Sequence, residues 1–361
     1  LEAVAAEDAA EFPSALPTRR ESDHAAWLTI QIGCDNSCAF CIVPAVRGPE
    51  MSRHFGDLLT EAREVAADGV SEITLLGQNV NSFGRDLTLA LRTEDPTDDD
   101  AAVVGARWAA EDRRRARPLF ADLLRDVGAI EGIRRVRYTS PHPKDIRADV
   151  MHAMAETPAV CEHLHLPLQS GSDTILAAMH RGYTAERYLE RLAEARSIVA
   201  DLAVTTDIIV GFPGETDHDF ERTLEVAAQA EYDGAYTFVF SPREGTEAAD
   251  MVDRFCDPDV VPERYERLRA VIQRSGARKH EARVGMTEEV VVEGPSKRDP
   301  SVTTGRTRQN KLVHFPTDAP IRVGTYATVR VTGARTHYLM GELDEIVAPP
   351  RHRTRIPVVA G

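Results

Sequence analysis

Residues 33–41 read GCDNSCAFC, which places Cys34, Cys38 and Cys41 in a C-x3-C-x2-C spacing directly after the apolar run WLTIQI at 27–32. Thiolates are the usual ligands of the irons in a cubane cluster, and four of them close every iron. Three leave one iron open. An open iron takes an exogenous chelator, and the amino and carboxylate groups of S-adenosylmethionine (SAM) suit that role, with a reduced cluster supplying the electron that cleaves the sulfonium. The competing reading of the trio is a structural zinc site, which normally requires four ligands and a second Cys or His pair. The remaining cysteines, Cys161 and Cys256, stand alone and are expected to be small buried hydrophobes.

Outward from this stretch, short apolar runs recur, each followed by a polar or Gly-rich turn and then a helical pattern. The runs are WLTIQI, EITLL, RVRYT, HLHL, DIIV and AYTFVF; the turns are GCDNSC, GQNVNS, SPHPKD, PLQSGSD, GFPGET and SPREGT. Strands alternating with helices predict an α/β fold with a parallel sheet, and six units predict a partial (β/α)6 barrel with its ligands at the C-terminal strand ends. In TAERYLERLAEARSIV, Tyr188, Leu192, Ala195 and Val199 share one helical face and Thr184 is placed to cap; DLLTEAREVAADG ends at Gly69, a natural helix stop. From 284 to 347 the pattern turns to short β-like runs without helices, predicting a small antiparallel β-barrel. The barrel domain is expected over 24–283, with a solvated acidic and basic insertion at 86–117, a linker remnant at 1–23 and a disordered tail at 348–361.

No stretch approaches the ~20 consecutive apolar residues of a membrane span, and three cysteines within eight residues suit a metal site better than a disulfide framework. A reducing, cytoplasmic setting and a monomer are expected. The net charge of −15 weighs against a polyanionic partner, but residues 284–361 carry 11 Lys and Arg against 8 Asp and Glu. A nucleic acid is best accommodated there.

The strings IQIGCDNSCAFCIVPAVRGPEMSR, LLGQNVNSFG, YTSPHPKD, HLPLQSGSD, DIIVGFPGET and FSPREGTEAADM together resemble, in order, the motifs of the radical SAM methylthiotransferase family. The resemblance runs from about Trp27 to Leu343, and GRTRQNKLVHF lies in a segment that resembles a TRAM domain, a small RNA-binding β-barrel. The GQNVN and SPHP turns are similar to those of the MiaB-type branch. That branch acts on isopentenyl-type adenosine in tRNA; the alternatives are threonylcarbamoyl-adenosine tRNA and a ribosomal-protein aspartate. A non-catalytic RNA-binding protein with a structural metal is the rival from another class.

The resemblance implies that Cys34, Cys38 and Cys41 ligate the 4Fe-4S cluster and that Phe40 packs by the SAM adenine or covers the cluster. It implies that Gln78 and Asn79 contact the methionyl amino group. Ser140, Gln169, Ser170 and Asp207, at or near strand ends, are candidates for SAM or substrate contact or for turn stabilisation. Gly211, Pro213 and Gly214 are expected to shape a turn. Arg47 and Arg53 by the cluster loop, and Arg306, Arg308 and Lys311 on a hairpin, are candidate phosphate contacts. Relatives are expected to carry a further N-terminal domain with a second 4Fe-4S cluster for sulfur delivery, and a low-potential electron donor is required. The chain, starting at Leu1, is expected to cleave SAM without completing methylthiolation.

Overall fold

The structure, a computed structural model, describes residues 22–95, 97–111 and 115–351. Six strands, β1 (Ala25–Thr29), β2 (Glu72–Leu76), β3 (Arg135–Tyr138), β4 (His163–His165), β5 (Ala203–Val210) and β6 (Gly234–Val239), are each followed by a helix. These helices are α1 (Phe55–Ala67), α2 (Phe120–Gly128), α3 (Ala148–Glu156), α4 (Ala185–Ile198), α5 (Asp217–Ala230) and α6 (Val261–Glu281). The order is β1-β2-β3 in one sheet and β4-β5-β6 in another, parallel throughout. A parallel bridge from Val136 to Val160 carries the arc from one to the other. Among the described residues β1 and β6 do not pair, so the arc is the expected partial (β/α)6 barrel.

The two-residue period of the strands sorts their side chains. Leu28, Ile73, Leu75, Val136, Leu164, Val204 and Ile208 are buried outward against the helices. Trp27, Thr74, Arg137, His165, Thr205, Asp207 and Tyr236 line an interior cavity. α4 starts where the Thr184 hydroxyl accepts from Arg187 N–H at 3.2 Å, and buries Tyr188, Leu192 and Ala195 on one face.

The segment 86–117 departs from the solvated insertion expected of its charge. Short helices at Arg85–Leu91, Asp100–Val104 and Ala106–Ala109 turn Val104 and Trp108 into the main core. Trp108 is fully buried, and its Nε1–H donates to Arg115 O at 2.9 Å. One indole in a polar stretch, without helical periodicity around it, outweighs the charge because a buried aromatic contributes so much apolar area.

The second domain is a closed barrel of β7 (Thr287–Pro295), β8 (Val302–Thr307), β9 (Leu312–Pro316), β10 (Tyr326–Ala334) and β11 (Leu339–Ala348), ordered β8-β9-β11-β10-β7. Four pairings are antiparallel and one, β9 with β11, is parallel. An odd number of strands cannot close with antiparallel pairs alone, so one parallel pair completes the expected small antiparallel barrel. At the Thr304/Gly305 irregularity a Cβ on Gly305 would lie 2.8 Å from Val290 Cβ.

The hairpin between β8 and β9 lies under the N-terminal ends of β3, β4 and β5 and joins the domains. Arg135, with no solvent exposure, donates to Arg306 O at 2.7 Å and Glu289 O at 3.0 Å. Arg137 donates to Thr307 O at 2.8 Å and Arg308 O at 3.0 Å. Arg308 forks onto the Glu162 carboxylate, both bonds 2.7 Å, and Lys311 Nζ meets Asp233 at 2.5 Å with both side chains buried. Arg308 and Lys311 thus act as interdomain clamps, each engaged by a carboxylate of the first domain, Glu162 half-buried and Asp233 buried. Beyond β11, Arg351 packs on Gly69 and Gly132 of the first domain. The expectations for residues 1–21 and 352–361 fall outside the described residues.

Candidate active site

The cysteine loop rises from the top of β1 through a two-stranded pairing of Gln31–Ile32 with Met51–Ser52. Gly33 sits at φ +72°, where a Cβ would fall 1.9 Å from Pro49 O, so only glycine lets the loop fold back this tightly. Cys34 N–H donates to Gly48 O at 3.2 Å and Cys41 N–H to Cys38 O at 3.0 Å. Ala39 is tied on both sides, donating to Met179 O at 3.2 Å and accepting from Ala248 N–H at 2.8 Å. The three cysteines are free thiols, half-buried. Phe40 meets Phe212 edge-on at 6.4 Å and joins Ala39, Ile175, Met179 and Ala248 in an apolar cluster under the loop.

Arg181, not singled out from the sequence, is nearly buried and donates from Nη1 to Cys38 Sγ at 3.2 Å and from Nε to Tyr183 OH at 3.2 Å. Its one sequence signal is a lone cation in HRGY, closing the segment opened by PLQSGSD. Glu50, at the far end of the cysteine loop, was also overlooked. Its backbone N–H donates to Asp35 Oδ1 at 2.9 Å and its carboxylate accepts from Ser82 Oγ at 2.5 Å. Burial pushes its pKa up to about 7.

Gln78 and Asn79 lie in the turn that follows β2. Asn79 Nδ2 donates to Asp145 at 2.7 Å and its carbonyl accepts from Gln31 Nε2 at 2.8 Å, so it also stabilises the turn. The side-chain carbonyls of Gln78 and Asn79 are buried, with no partner among the described residues. Buried acceptors left open are costly; a ligand ammonium would satisfy them.

Ser140 and Gln169 adopt φ +58° and +65°. Ser140 lines the cavity. Gln169 pairs by backbone with Asp207 and Ile209 at 2.8 and 2.9 Å. Ser170 is fully buried, with Oγ 3.3 Å from Thr223 Oγ1 and accepting from Ser172 N–H at 3.2 Å, and so anchors its turn. Asp207 faces the cavity from β5 and lies 3.3 Å from His165 Nε2. Thr205 Oγ1 joins His165 Nδ1 and His163 Nε2, each at 3.0 Å. Burial drives the His163 pKa down to about 3, so its ring is neutral and the row is an ordered hydrogen-bonded chain ending at Asp207. The cavity holds about 710 Å³, and its floor is set by Glu293, Arg306 and Asn310 of the second domain. Arg306 is paired with Glu293. Arg53 is engaged by Glu61 at 2.6 Å and Thr29 O at 3.1 Å, while Arg47 is exposed at the loop.

The donor set fits a cubane. Three half-buried free thiols on one short loop supply the sulfur ligands that an iron–sulfur cluster takes. Burial pushes the Cys34 thiol up, so a bare thiolate is disfavoured there unless iron offsets its charge. Arg181 adds a cation and an N–H···S bond on the protein side.

Residues 28–227 match the family model of the radical SAM superfamily, and residues 281–343 match the TRAM domain. The chain belongs to the radical SAM superfamily, whose members hold a 4Fe-4S cluster and SAM. It is similar to tRNA-2-methylthio-N(6)-dimethylallyladenosine synthase 1 of Mycobacterium marinum, 47% identical over 92% of this chain and 61% of that protein. The synthase of Mycolicibacterium smegmatis is 47% identical over 96% of this chain and 63% of its own. That of Kineococcus radiotolerans is 48% identical over 95% and 63%. The chain thus spans about three-fifths of the length of these relatives. No helix among the described residues is long and apolar enough to cross a membrane.

Proposed function

We propose that this chain is the SAM-cleaving part of a methylthiotransferase that adds a methylthio group to C2 of N6-isopentenyladenosine beside the tRNA anticodon. The observation that carries the proposal is the trio Cys34, Cys38 and Cys41, held at the mouth of an open six-stranded barrel. The similarity to synthases named for that product supports it. When bound, a 4Fe-4S cluster with one open iron supplies the electron that breaks the SAM sulfonium. The protein's part is to hold and orient.

Cys34, Cys38 and Cys41 grip three corners, Arg181 steadies Cys38, and Phe40 keeps the underside of the loop dry. Gln78 and Asn79 offer their open carbonyls to the amino group of SAM, and Asp207, fixed by His165, offers an acceptor to a hydroxyl or N–H in the cavity. The second domain closes the cavity from below with Glu293, Arg306 and Asn310. Arg47 is the candidate phosphate contact for the tRNA; Arg306 faces the cavity floor and is already paired.

Sulfur insertion draws, on this reading, on a second 4Fe-4S cluster outside the chain, since Cys161 and Cys256 are too isolated to build one. A low-potential donor supplies the electrons. Reconstituted anaerobically, the chain should bind iron and acid-labile sulfide, show a cluster spectrum that changes on SAM addition, and release 5′-deoxyadenosine. Alanine at any of Cys34, Cys38 or Cys41 should abolish all three. Zinc without sulfide would support the RNA-binding rival instead. Robust methylthiolation by the chain alone would refute the outside sulfur source, and nucleoside mass spectrometry of tRNA from a deletion strain separates the three substrate classes.

A further inference from the structure

We infer that Trp27, Tyr236 and Phe238 clamp the target nucleobase at a lateral slot between the two end strands of the open barrel. The inference deepens the proposed function and rests on it. Among the described residues, β1 pairs with β2 alone and β6 with β5 alone, so each ends the arc with a free edge. Trp27 stands on β1 and Tyr236 and Phe238 on β6, all three lining the cavity. They are 45%, 66% and 51% exposed, where a filled barrel would bury such rings. His165 meets Tyr236 edge-on at 6.2 Å and steadies its ring.

The charge of the lining selects the occupant. Glu72 pairs with Arg137 at 3.3 Å, Glu293 with Arg306, and Asp207 with His165. The lining arginines are thus spent on carboxylates, so neither is left to hold a phosphate, and a neutral planar group is admitted. Nucleobases stack on aromatic side chains whatever their sequence. A base must also be swung out of its own stack to reach chemistry inside a protein. A slot in the side of the barrel lets the base enter while its phosphates stay outside, and the apolar faces of Phe238 and Tyr236 suit the branched hydrocarbon arm on N6.

The chain offers its own reporter. It has two tryptophans, and Trp108 is fully buried, so a fluorescence change on ligand addition reads Trp27. The probe is a synthetic RNA hairpin with N6-isopentenyladenosine in its loop, titrated into the cluster-loaded chain. A saturable quench is expected. Trp27→Phe should lose the signal yet hold affinity, measured by anisotropy of labelled RNA, within about twofold. Trp27→Ala and Tyr236→Ala should each weaken binding about tenfold. The same hairpin with an abasic site at the target should not distinguish them. Unchanged affinity in the alanine variants, with melting temperatures intact, overturns the clamp. So does a Trp27 shielded from acrylamide before RNA is added, because a protein segment would then cover it. Iron content and SAM cleavage of the unaltered chain, run alongside, separate failure of the clamp from failure of the proposed function.

Discussion

Arg181 carries the most chemical consequence of any side chain outside the cysteine trio. Its guanidinium reaches Cys38 Sγ from an almost buried position, and a hydrogen bond and positive charge at a cluster thiolate stabilise the reduced state. Arg181→Met should shift the cluster midpoint to lower potential in an anaerobic EPR titration, with Arg181→Lys intermediate. An unchanged potential in the Met variant would reduce Arg181 to a packing residue. At this scale the sequence was informative where chemistry demands one residue type and silent where contacts decide. Three closely spaced thiols have few uses. A lone arginine has many, and nothing in HRGY shows that it folds back on a cysteine 143 positions earlier.

Strands were legible because apolar runs bounded by turns have few other readings, and α4 because its apolar face repeats. The segment 86–117 was not, since its apolar residues are sparse and its charges suggest solvent. Trp108 is the test of that element. Trp108→Ala should cost ~3–5 kcal/mol in urea unfolding, a loss that a solvated insertion would not show. The hairpin at 306–311 failed to disclose itself for another reason. A cation meant for phosphate and one meant for a carboxylate are the same residue in a sequence, and the partners of Arg308 and Lys311, Glu162 and Asp233, lie far away along the chain.

Across the whole molecule, the interface is built from buried charges and tolerates loss of one partner poorly. Lys311→Ala leaves Asp233 buried and unpaired, which should cost ~3–5 kcal/mol, whereas Arg330→Ala at the exposed pair with Glu342 should cost under about 1 kcal/mol. Calorimetry should show the two domains melting together in the unaltered chain and separating in the Lys311 variant. Acid sensitivity follows from burial as well. His142, His163 and His280 have pKa values pushed down to about 2, 3 and 4 from 6.5. Their full contribution is present above about pH 6.5, and it is lost as the pH falls, because the unfolded chain takes up protons that the folded one refuses. Glu50, raised to about 7 from 4.5, acts oppositely: its contribution is full below 4.5 and lost as the pH rises through 7. Near pH 5.5 the three histidines outweigh it, so the urea midpoint should drop between about pH 7 and pH 5. Glu50→Gln should raise stability at about pH 8, leave it unchanged near pH 4.5, and steepen the decline between.

The second domain is, in mechanical terms, a stopper pressed into the base of the first, with Arg135 and Arg137 gripping the backbone of its hairpin. A chimera that borrows this domain from a distant relative must therefore reproduce the grip as well as any affinity for RNA. Without it the chamber loses its base.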